Sequence, residues 1–153
     1  MVVLVAIFNS LDTVSKSQAF QADRTQNIDD MRGVLNRMTK ELRQATSVTQ
    51  PASVPSSTLT YVTYVNGVSQ TIVYTASGTT LTRKVGTATA FTVLTHLAST
   101  SIFTPSSATD ITGIQWVEID LRVTPARSPD TTLALEAKVN LRNRTAALTG
   151  TAS

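Results

Sequence analysis

Apolar residues recur at helical spacing in one part of the chain and at alternate positions in several others, and the change of period divides it. Ile28, Met31, Leu35, Met38, Leu42 and Ala45 follow at intervals of 3, 4, 3, 4 and 3, while Asp29, Asp30, Arg32, Arg37, Lys40 and Arg43 fill the other positions. Such a stripe belongs to a helix with one face against a partner surface. Upstream, Val2, Val3, Leu4, Val5, Ile7 and Phe8 lie in a run that is apolar on every side of a helix, and residues 9–27 between the two are mostly polar. Through Ser47 there is no proline, and Gly33 is the one glycine. The spacing therefore predicts a single helix over residues 1–47, about 70 Å long at roughly 1.5 Å per residue, ended by Pro51 and the β-branched Thr46, Val48 and Thr49. Residues 1–27 are expected to project as a stalk, apolar at the tip and solvated in the middle, and 28–47 to pack on a sheet.

Beyond a Pro/Ser-rich linker at 48–57, threonine, valine and serine dominate. Thr58–Val65 and Ser69–Thr75 flank Asn66-Gly67, a strong hairpin signal of type I′, and Thr79–Val85 follows the Ser77-Gly78 turn. Leu59, Tyr61, Tyr64, Ile72, Tyr74 and Leu81 are the positions available for burial in this meander. Phe91 to Pro105 fits neither period well and predicts a short turn or strand pair, with a loop from Thr104 to Gly113. Val117, Ile119, Leu121 and Val123 alternate with Glu118, Asp120 and Arg122, and Leu133, Leu135, Ala137, Val139 and Leu141 alternate with a set that includes Glu136, Lys138 and Arg142. Each set predicts a strand with one dry face and one wet. The TPARSPD loop over 124–130 is expected to be exposed. The β domain thus runs over 58–144 and a loose polar tail over 145–153. The fold class is α+β: a long N-terminal helix packed on an antiparallel sheet of about five strands, one helical layer covering the one dry face.

Composition changes this picture little. The 153 residues suffice for one domain with a core, and the net charge of +3, from 13 Lys and Arg against 10 Asp and Glu, is dispersed. Arg83-Lys84 and the Arg142, Arg144 pair are short, and no aromatics interleave with them to stack bases, so nucleic acid is not expected as a partner. Cysteine is absent, which removes disulfides and thiolate chemistry. His96 lacks a recognisable catalytic partner, and no nucleophile elbow is present. Asp29 and Asp30 point about 100° apart on a helix and read as a solvated face. Asp110 and Asp130 lie in loops without the acidic density of a calcium site. Trp116 and the tyrosines read as core or sheet-face residues. No cofactor, metal or catalytic residue is expected.

The order of elements, together with the helical pattern Met31-Arg-Gly-Val-Leu-Asn-Arg-Met-Thr-Lys-Glu-Leu-Arg-Gln-Ala45 and the terminal Val139-Asn-Leu-Arg-Asn-Arg144, resembles the type IV pilin and type II secretion pseudopilin superfamily, and is most similar to minor subunits of the PulJ/PilW kind. The resemblance implies a pilin-like fold and a structural subunit of a pilus or secretion-type filament. It would be anchored in a membrane through Val2, Val3, Leu4, Val5, Ile7 and Phe8 before assembly, with its β domain outside the cytoplasm and other pilins as partners. Ile28, Met31, Leu35, Met38, Leu42 and Ala45 would dock the helix on the sheet. Family members carry a basic leader, a glycine at the cleavage point and a glutamate near the new terminus. None precedes Met1, so the chain is expected to start inside the apolar helix, N-terminally truncated. The alternative is a stalked adhesin or ligand-binding surface module using its Thr-rich loops.

Overall fold

The computed structural model describes residues 2–50, 55–107 and 114–141, with side chains described for 16–49, 55–107 and 114–141. The helix α1 runs from Val2 to Arg43, and its last turn tightens as the amides of Gln44 and Ala45 donate to the carbonyls of Glu41 and Leu42, each at 3.1 Å. Lys40 and Arg43 lie in that turn, where cations complement the helix dipole.

The chain then enters a strand at once, which corrects the reading of 48–50 as linker. β1, Ser47–Gln50, pairs antiparallel with β2, Thr58–Val65, setting Val48 opposite Tyr61. The β-branched residues that end the helix suit a pleated strand equally well, and Val48 is buried. The linker residues 51–54 lie outside the described residues.

β3, Val68–Ser77, β4, Thr80–Val85, and β5, Phe91–Leu94, complete a five-stranded antiparallel sheet in the order β1-β2-β3-β4-β5. Asn66 and Gly67 have φ of 52° and 78°, as a type I′ turn requires. Leu59, Tyr61, Ile72, Tyr74 and Leu81 are buried in the core, but Tyr64 is 61% exposed. With Tyr61 and Thr63 facing inward, the pleat turns Tyr64 to the other face. Its expected burial is corrected on that ground.

The remaining strands form a second sheet, where a single sheet is expected from sequence. β6, Phe103–Pro105, pairs with β7, Trp116–Val123, and β7 with β8, Leu133–Asn140. The region 91–105 thus holds two strands that belong to different sheets and do not pair with each other. Val117, Ile119, Leu121 and Val123 face the core, whereas Ala137 and Leu135 are half-buried and their neighbours exposed. The sheets are joined where the Ser56 amide donates to the Phe103 carbonyl at 2.8 Å and where Leu97 bridges Val123. α1 packs chiefly on β8 and also touches β2, β5 and β7, so it covers both sheets. Burial of its stripe joins the two in one core.

The loop over 124–130 is not simply exposed. Pro125 and Ser128 are buried, and the Arg127 amide donates to Asp23 Oδ2 at 3.1 Å. Asn27 is also buried, its Nδ2 donating to the Asp23 carbonyl at 2.7 Å. A proline-fixed loop laid on the helix extends the docked segment upstream to Asp23, so 23–27 is not part of the solvated stalk.

Candidate functional site

The helix is the element with two environments, and its side chains are the candidate site. Met31, Met38 and Leu42 are fully buried, Ala45 nearly so, and Ile28 and Leu35 are half-buried against the core with Val34. Each fully buried Met or Leu contributes roughly 1.5–3 kcal/mol relative to exposure. From Lys16 to Ala22 the side chains are exposed apart from the half-buried Ala19, and Phe20 retains 47% exposure. The side chains of Val2, Val3, Leu4, Val5, Ile7 and Phe8 lie outside the described residues, as do Asp110, Arg142, Arg144 and the tail 145–153. Among the described residues no helix is long and apolar enough to cross a membrane.

Within the docked segment the stripe carries a carboxylate. Glu41 lies three residues after Met38 and four before Ala45, on the same face, over the inward side of β2, β3 and β4. Its Oε2 accepts from the Tyr61 hydroxyl at 2.5 Å and the Tyr74 hydroxyl at 3.2 Å, and its Oε1 accepts from Arg83 Nη2 at 2.6 Å. The glutamate and arginine side chains are only 19% and 10% exposed. The tyrosine rings stack with centroids 6.4 Å apart, and the Arg83 guanidinium lies over Tyr74 and Phe91, 5.9 and 6.0 Å from the ring centroids.

These contacts move the proton affinities together. Burial, then the neighbouring Tyr74 and Glu41, pushes the Tyr61 phenol far above its ordinary value, and burial followed by Glu41 does the same to Tyr74. Burial alone would lower Arg83, but the hydrogen bond and charge of Glu41 outweigh it and hold the guanidinium cationic. Three donors therefore converge on one carboxylate, fastening the end of the helix to three strands. The arrangement is a clasp. It was missed in sequence because Glu41 looks like one more charge on a charged helix. Its place between Met38 and Leu42 on the stripe was the available signal.

The other candidates are placed separately. His96 is exposed, with φ of 60° and Nδ1 3.0 Å from the Thr95 hydroxyl. Asp29 makes an exposed ion pair with Arg32 at 3.7 Å, and Asp30 accepts from Gln26 Nε2 at 2.9 Å, so both lie on a solvated face. Trp116 is half-buried beneath the Lys138 ammonium, 3.7 Å from its ring centroid. Among the described residues no group of acidic, histidine or cysteine side chains is arranged to hold a metal ion. The chain matches no protein-family model, no curated protein and no solved structure.

Proposed function

We propose that this chain is a structural subunit of a helical filament, a minor pilin or pseudopilin of the type IV pilus or type II secretion kind, acting by assembly and not by catalysis. The helix carries the reading: it is continuous from Val2 to Arg43, yet among the described side chains its contacts with the β domain run from Asp23 onward. The segment before Asp23 adds about 30 Å at roughly 1.5 Å per residue and begins with about two turns of purely apolar sequence. Packed among equivalent helices, that segment would bury apolar surface worth roughly 25 cal/mol per Å². Before assembly the same residues would hold the subunit in a membrane, with the β domain outside the cytoplasm. The Glu41 clasp suits this role, since pull on the helix would be met by three strands at once.

The test is made in cells that carry the intact gene. An epitope-tagged subunit should appear in filaments sheared from the surface or drawn from the envelope, and Leu4→Asp with Ile7→Asp should remove it from them while the folded domain persists in the cell. Undiminished incorporation of the doubly charged variant would overturn the reading.

A further inference from the structure

Among the described residues two buried side-chain polar atoms lack a hydrogen-bond partner, Thr63 Oγ1 and Arg83 Nε. Arg83 is accounted for by its ion pair with Glu41 and by the rings its guanidinium covers. Thr63 has no such account. It is 2% exposed and lies on the inward face of β2, on the stretch that leads out to the hairpin turn. Buried hydroxyls are ordinarily paired, so an orphan in the wall of a cleft marks a place where a ligand can bond.

Thr63 lines an open cleft of about 500 Å³ between α1 and the end of β2, a volume ordinary for a small-molecule site. Asn36, Arg37, Lys40 and Gln44 of the helix and Asn66 of the hairpin turn line it too. Positions 36, 40 and 44 follow at intervals of four, and 37 adjoins them, so helical geometry gathers these side chains on one face. None of these polar side chains makes a hydrogen bond or ion pair among the described residues. Glu41 is the one acidic residue in the lining, and both of its oxygens are committed to Tyr61, Tyr74 and Arg83, whose guanidinium matches its charge. The charges of Arg37 and Lys40 are left unmatched. A neighbouring groove shares Arg37 but carries Asp29 and Asp30, and both of those are engaged, with Arg32 and Gln26.

We propose that this cleft binds an acidic saccharide, a sugar ring that bears a carboxylate. Arg37 and Lys40 supply charge-assisted hydrogen bonds to the carboxylate, Arg37 through its planar fork and Lys40 as a point charge. The amides of Asn36, Gln44 and Asn66 each donate and accept, which matches ring hydroxyls that do the same, and the Thr63 hydroxyl gains the partner it lacks. A bare anion would use the cations and leave the amides and the hydroxyl idle. The site requires only the β domain and the docked part of the helix, so it does not rest on the filament reading. A chain excluded from filaments in the cell would still bind, and the reverse holds too.

Digalacturonate is the probe, with lactose as its uncharged counterpart and inorganic phosphate as a bare anion. Calorimetric titration of the full-length protein should show saturable binding of digalacturonate, at least tenfold weaker binding of phosphate, and no binding of lactose over the same concentrations. Arg37→Gln and Lys40→Gln should each weaken digalacturonate binding several-fold, whereas Arg43→Gln, a helix cation outside the cleft lining, should leave it unchanged. Thr63→Val removes the orphan hydroxyl with little change of shape, so the free protein should melt at the same temperature or higher while digalacturonate binds several-fold more weakly. A lower melting temperature for that variant would show that the hydroxyl is already bonded within the molecule, and would overturn the proposal. Absence of saturable binding, equal binding of phosphate and digalacturonate, or undiminished binding by the Arg37, Lys40 or Thr63 variants would overturn it as well.

Discussion

Glu41 takes three hydrogen bonds in a place that water hardly reaches, so removal of one donor leaves charge behind. Arg83→Met should destabilise the domain by about 2–3 kcal/mol, because an uncompensated, mostly buried carboxylate costs more than the pair contributes. The double variant Glu41→Gln with Arg83→Met should lose less than the sum of the single losses, as expected of directly coupled groups. Urea denaturation of the four proteins measures both, and simple additivity would separate the two residues. The tyrosines give the clasp a pH dependence. Their folded values are raised above the ordinary 10.0, so the unfolded chain ionises first. Stability is then fully present below about pH 10 and is lost above it, by roughly 1.4 kcal/mol per pH unit for each tyrosine. Tyr61→Phe should remove about half of that slope, which melting curves between pH 8 and about 11 will show. Two glycines offer a contrast. At Gly67, φ of 78° makes Gly67→Val costly by about 1–2 kcal/mol, whereas Gly33→Ala, in open helical space, should stabilise the monomer by about 0.5–1 kcal/mol.

Among the elements, the helix stripe sets the ranking of its own substitutions. Met38→Asp places a charge at a fully buried position and should unfold the domain at ordinary temperature, while Leu35→Asp, half-buried, should lower the melting temperature without abolishing folding. Arg37→Ala, on the exposed side, should leave the transition unchanged. Far-UV circular dichroism against temperature distinguishes the three. That stripe and the alternating strands β7 and β8 were legible in sequence because each rests on a local period. The type I′ turn was legible because Asn66-Gly67 states its own backbone requirement. The division into two sheets was not, since it depends on Phe103–Pro105 choosing Val117–Ile119 as partner over the preceding meander, and no local period records that choice. β1 was hidden because Thr46, Val48 and Thr49 serve equally as a helix stop and a strand. The clasp was hidden for a related reason: its donors lie 20, 33 and 42 residues from Glu41. A proline-rich loop ordinarily reads as solvent-exposed, and only the fold brings Arg127 to Asp23.

For the whole molecule, the division of α1 is what links structure to the proposed assembly. The β domain holds the helix from Asp23 onward through the loop contact, the stripe and the clasp, and upstream of that the described side chains from Lys16 to Ala22 face solvent, with Ala19 half-buried. A filament subunit needs this separation, because one segment must be committed to neighbours while the other keeps the domain folded. The deletion of residues 1–20 measures it most directly. The shortened chain should melt in a single cooperative transition at the temperature of the full-length protein, since every contact described between helix and β domain lies at Asp23 or beyond. A fall of several degrees or a broadened transition would show that the deleted segment is part of the domain's own core, and would contradict a helix divided between domain and filament.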